Sequence, residues 1–186
     1  MRLLYFTVIL FIFSRCSETK QTPAPISGDS IPVTNTTTTV TTPVTTAHIN
    51  DTIILSAQHK PNYILADLDG DNMTDSVQLI QHTTNKKYGL FIKFGNHTTT
   101  LLGAGQDVLQ QGFDDLDWVG IFEKAQKGDV YWNNVNDEGE IIGEEQVPET
   151  AKIRLPNDGI FIHAAESCGG GVIYLKNGKF EWIQQE

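Results

Sequence analysis

The chain has 186 residues, a formal charge of −10, a sequence pI near 4.8 and only two cysteines. An acid balance of this size offers no basic stripe for phosphates, which argues against nucleic acid as a partner and against adsorption to anionic lipid head groups. Two cysteines make no disulfide framework, so whatever folds here must rely on its core and on other ties.

The first segment has the order of an export signal. Arg2 is followed by Leu3 to Phe13, apolar apart from Thr7. That run of about 11 residues is far below the roughly 20 that a membrane-spanning helix needs. Residues 1–16 are therefore expected to be a signal peptide. Cys16, followed by Ser17-Glu18, resembles the lipobox cysteine of bacterial lipoproteins and the acidic surface-export signal of Bacteroidetes lipoproteins. That resemblance implies lipidation at Cys16 and residence at the outer membrane, the cell surface or the periplasm. Membrane contact would then come through the lipid anchor alone, and Cys168 would have no intrachain partner. Arg15 stands where lipoboxes carry a small residue, so the alternative is cleavage near Ser14 to Ser17 and a secreted soluble chain.

Residues 17–47 hold eleven threonines and four prolines with almost no large apolar side chain. Such a stretch cannot bury enough surface to offset chain entropy, and it reads as a disordered tether.

From His48 to Glu186 the composition becomes that of one folded domain. Short apolar groups separated by turn signals predict strands at 53–55, 63–66, 77–82, 90–94, 98–102, 129–132, 153–155, 160–164, 172–175 and 180–183. Asn177-Gly178 between the last two supplies the positive φ angles of a tight hairpin turn. Helical patterning is confined to 106–111 and 115–127; in the second, acidic residues lead and Lys124 and Lys127 follow, as a helix dipole favours. The expected fold is a mainly β, single compact domain of short antiparallel strands with room for one short helix, and not a full propeller.

The clearest chemistry lies in Asp67-Leu68-Asp69-Gly70-Asp71-Asn72-Met73-Thr74-Asp75. Carboxylates stand at positions 1, 3, 5 and 9 of this loop. Calcium takes six to eight oxygens at about 2.3–2.6 Å, and alternate residues of a tight turn point inward. Asp67, Asp69, Asp71 and Asp75 are thus candidate side-chain ligands for Ca²⁺, with the Met73 carbonyl as a fifth. Gly70 and Asn72 tolerate the left-handed angles of such a turn. Position 12 is Gln78 and not a bidentate Glu, so the loop is no EF-hand.

Residues of about 62 to 82 resemble the Asp-x-Asp-Gly-Asp-x-x-x-Asp loops of FG-GAP and VCBS-type repeats. The resemblance implies a structural calcium turn between two strands. A single loop does not imply the multi-bladed propeller of those repeats. The glycine-rich run Glu166 to Tyr174 and the aromatic Phe180 to Gln185 also resemble the C-terminal hairpin of small exported Bacteroidetes proteins, for which no activity is implied.

Other groups read more plainly. His163 and Cys168 suggest a thiol-dependent hydrolase, but five residues apart on a strand they face opposite sides, and a satisfied histidine beside a buried thiol is the simpler reading. Gly169-Gly170-Gly171 lacks the Lys-Ser/Thr of a phosphate loop and predicts a bulge or a close backbone approach. Asp114-Asp115-Leu116-Asp117 and the 137–145 segment lack alternating carboxylates and read as solvated acidic faces. Trp118, Trp132, Trp182, Tyr131 and Tyr174 read as core filling before a sugar-stacking platform. The sequence thus leads to a non-enzymatic, exported and lipid-anchored domain with a structural Ca²⁺ loop, whose partner is a protein or a glycan. An acidic inhibitor or immunity-type protein is the alternative.

Overall fold

A computed structural model describes residues 51–136, 138–166 and 168–186. The expectations for residues 1–16 and 17–47, Cys16 included, lie outside the described residues.

The described residues form eleven strands: β1 (Ile53–Leu55), β2 (Tyr63–Ala66), β3 (Asp75–His82), β4 (Tyr88–Lys93), β5 (Thr99–Gly103), β6 (Ile121–Ala125), β7 (Val130–Tyr131), β8 (Ile153–Arg154), β9 (Gly159–His163), β10 (Gly170–Lys176) and β11 (Lys179–Gln185). All pairings are antiparallel. One sheet runs β1-β3-β4-β5, with β2 also paired to β3; the second runs β11-β10-β9-β6, and β7-β8 form a separate ribbon. The fold is mainly β, and neither sheet closes into a barrel or a propeller.

Side-chain alternation explains the layering. Val77 and Leu79 of β3 and Leu90 and Ile92 of β4 meet Phe122, Ile160, Ile162 and Ile173 of the other sheet in one buried cluster. Their odd-numbered or even-numbered neighbours turn outward, as period-two strands require. Ile80 packs with Ile53 and Ala104 on the far side of the first sheet. Val172, Tyr174 and Ile183 pack with Leu155, Tyr131 and Ile153 on the far side of the second. The β7-β8 ribbon therefore covers a face that would otherwise be wet.

The C-terminal hairpin turns at Asn177 (φ 52°) and Gly178 (φ 75°), the two left-handed positions of its Asn-Gly tip. The glycine run is a close approach: a Cβ at Gly171 would collide with the indole of Trp182. Trp182 lies across β10 because no side chain stands there.

Two helical expectations fail. Residues 106–111 form a turn in which Leu109 and Gln110 take positive φ and Asp107 Oδ1 accepts the Gly112 amide. The 115–127 segment is a turn followed by β6. Its Gly120 amide donates to the His163 carbonyl, and Ile121 to Ala125 pair with β9. The free edge of β9 offers this segment, with its β-favouring Ile121 and Phe122, a ladder that outweighs a helical charge order. Helical structure among the described residues is limited to two 3₁₀ turns, Glu144–Gln146 and Glu149–Ala151.

Between β1 and β2 the chain leaves the sheet for residues 56–62 and returns beside the same strand, with the Ser56 amide donating to Leu79 O and the Leu79 amide to Asn62 O. Buried His59 fills this excursion. Its Nδ1 lies 2.7 Å from Ser56 Oγ, and its ring meets Tyr88 edge-on.

Candidate metal centre

The acidic loop is the β2-β3 turn. Ala66 pairs with Asp75 at its base, so the two strands fix where the loop starts and ends. Within it, Asp67 Oδ1 accepts the Gly70 amide at 2.8 Å and Asp67 Oδ2 the Asn72 amide at 3.2 Å. Asp69 Oδ1 accepts from Asp71 and Asp71 Oδ1 from Met73. Each carboxylate thus turns the backbone by binding an amide a few residues on, as Asp does in turns. Gly70 (φ 79°) and Asn72 (φ 65°) take the left-handed angles.

These turns bring Asp67, Asp69 and Asp71 together, with one carboxylate oxygen from each lying within 4.8 Å of the others. That spacing suits one cation. Oxygens on a shell of about 2.4 Å radius are at most about 4.8 Å apart, and hard carboxylate oxygens are the donors calcium takes. Among the described residues this is the one such group of acidic, His or Cys side chains.

Asp75 is placed differently. It is fully buried, and its two oxygens accept the Leu68 amide at 2.7 Å and the Gly95 amide at 2.8 Å. It ties the loop's beginning and the β4-β5 turn to β3, and is not among the three converging carboxylates. Each of its oxygens keeps further acceptor capacity. Met73 is 44% exposed, and its side chain packs on Gly95, where a Cβ would strike it. Its carbonyl takes no donor among the described residues.

A second clamp comes from far along the chain. Asp158 Oδ2 accepts the Asp67 amide at 3.1 Å, the Asp158 amide donates to Asp67 O, and Asn157 Nδ2 reaches Leu68 O. No local signal announces Asp158, which is 91 residues from Asp67. Burial would raise its pKa, but the Lys127 and Asp67 amides and the Lys124 ammonium outweigh burial and hold the carboxyl below its usual range. Asp69 is shifted the other way. Burial and the charges of Asp71 and Asp75 push it up, against the pull of the Asp71 amide. No lysine, arginine or histidine pairs with Asp67, Asp69, Asp71 or Asp75 among the described residues.

The other sequence candidates are dispersed. Cys168 is exposed and lines a cleft of about 260 Å³ with Phe113, Trp118 and Trp182. His163 does not line it. Its ring stacks on Phe161, which packs with the cluster on the outer face of the second sheet, and its Nδ1 donates to Ala164 O. Trp118 and Trp182 are half-buried against the main core, and Tyr174 is buried in the outer cluster. Asp115 accepts the amides of Tyr88 and Asp117, and Asp114 pairs with Lys87.

Comparison of the chain with protein-family models, with curated proteins and with solved structures finds no match.

Proposed function

We infer that the chain is an exported, non-enzymatic domain stabilised by one Ca²⁺ and used for binding or envelope structure. Asp67, Asp69 and Asp71 hold the ion by side chain, with the Met73 carbonyl and Asp75 closing the set. The observation that carries this reading is the charge around Asp75. A fully buried carboxylate with two amide donors and no cationic partner sits in the electrostatic reach of Asp69, beside two further carboxylates. Buried charges are paired or coordinate metals. A divalent cation supplies the positive charge that no side chain supplies here. It would join the β2-β3 turn to the β4-β5 turn and, through Asp158, to the second sheet.

Export rests on the order of Arg2, Leu3 to Phe13 and Cys16. A thiol-dependent reaction has less support, because Cys168 is exposed in a cleft that His163 does not line. The test is thermal. Calcium at a hundredfold excess over its Kd should raise Tm by roughly 5–15 °C, and EDTA should reverse the rise. Asp69→Ala should abolish it. Identical melting in calcium and in EDTA would sink the reading.

A further inference from the structure

A cleft of about 470 Å³ opens beside the acidic loop, between the β4-β5 turn and the tip of the β10-β11 hairpin. Its size falls in the roughly 300–1,000 Å³ range of small-ligand sites. Phe94 and Phe180 line it with their rings 6.3 Å apart and only 27° from parallel, and both are half-buried against the core. The same wall carries Asp69, Asn96, Thr98 and Thr100. The side chain of Asn96 is half committed: Oδ1 accepts the Thr98 amide at 2.9 Å and the Thr98 hydroxyl at 2.6 Å. Its Nδ2 donors, and the Thr100 hydroxyl, have no partner among the described residues. An aromatic surface with unspent amide, hydroxyl and carboxylate groups around it matches a ligand that is apolar on one face and hydroxylated at its edge.

We propose that this cleft binds a neutral hexose of a glycan. The pyranose lays its C–H face on Phe94 and Phe180, where the ring faces are electron-rich. Its hydroxyls bond Asn96 Nδ2, the Thr100 hydroxyl and a free oxygen of Asp69. Charge selects against anionic sugars: the lining contains a carboxylate and no Lys or Arg, on a chain of formal charge −10. An apolar peptide side chain would strip water from Asn96, Thr100 and Asp69 without replacing their hydrogen bonds, which costs binding energy. The smaller cleft around Trp118 and Trp182 lacks this complement. Their indole N–H groups are already spent on Asp115 O and Gln184 Oε1.

The proposal rests on the calcium reading at one point. Asp69 belongs both to the converging carboxylates and to the cleft wall, so an ion that fixes its side chain also prepares the sugar site. Hexose affinity should therefore be higher with calcium than with EDTA.

The full chain, isotopically labelled, is titrated with the methyl glycosides of glucose, galactose and mannose, in calcium and in EDTA, by two-dimensional NMR. At least one glycoside should shift the Asn96 side-chain amide and the Phe94 and Phe180 resonances. Thr100→Val, which keeps the branched shape, and Phe180→Leu should each weaken that affinity at least tenfold. Thr100→Val should keep the calcium-induced rise in Tm. The proposal is overturned if no glycoside shifts these signals, if affinity is the same in EDTA, or if both variants bind as the parent does. A calcium-insensitive Tm would instead overturn the cation reading on which it rests.

Discussion

Two acidic segments of this chain look alike in composition and behave differently in space. In the 114–117 segment every carboxylate with a structural task has a donor from the protein: Asp114 pairs with Lys87, and Asp115 accepts the Tyr88 and Asp117 amides. In the 67–75 loop the carboxylates have amides but no cation, and three of them converge. The lesson is that negative charge is not a site. What marks a site is charge gathered in one place and left without a counter-charge.

Substitutions can break or sharpen that contrast. The largest effect is expected from Asp75→Ala, which strands the Leu68 and Gly95 amides away from an acceptor. The Leu68 amide is buried and the Gly95 amide partly so; at about 1–3 kcal/mol for a fully buried donor and less for the other, urea denaturation should show a loss of roughly 2–4 kcal/mol. Near-parental stability would show that these amides find water or other acceptors. Asp115→Ala removes an acceptor from Tyr88 N–H and should cost about 1–3 kcal/mol, by the same amount in calcium and in EDTA. A calcium-dependent loss there would erase the distinction between the two segments.

Acidification should act next. Burial holds the imidazole of His59 below its ordinary pKa, against the opposing carbonyls and charges of Asp117, Leu116 and Asp115. A depressed histidine means that the unfolded chain takes up the proton first. The stability is then fully present above about pH 6.5 and falls as pH drops toward the lower folded value. His59→Gln should flatten the slope of stability between pH 7 and 5; an unchanged slope would assign it to other groups. Lys87→Ala should have the smallest effect, at most about 1 kcal/mol, because both partners of the Lys87–Asp114 pair are more than a third exposed. A larger loss in a melting curve would mean that Asp114 depends on Lys87 to hold the segment on β4.

How far the sequence revealed this arrangement depends on range. Strands were legible wherever short apolar runs stand between turn signals, as in β9 and the β10-β11 hairpin, because a sheet packed on both sides needs both faces filled. The helical charge order of 115–127 misleads, because Leu116, Val119 and Phe122 do not share a helix face. They reach one core from a turn and a strand instead. In the loop, local spacing was enough to point to Asp67, Asp69 and Asp71. The same spacing gives Asp75 as a ligand, but it says nothing of the Leu68 and Gly95 amides that its oxygens also accept. The Asp158 clamp and the Phe94–Phe180 cleft join residues brought together only by the fold, and no local pattern encodes them.

The contrast between the two acidic segments comes down to one titration. Full-length chain, stripped with EDTA and dialysed, is titrated with calcium chloride in a calorimeter, alongside Asp69→Ala and Asp115→Ala. One calcium per chain should bind the parent and Asp115→Ala, and none should bind Asp69→Ala. No binding by the parent, or undiminished binding by Asp69→Ala, would contradict a calcium site in the β2-β3 turn.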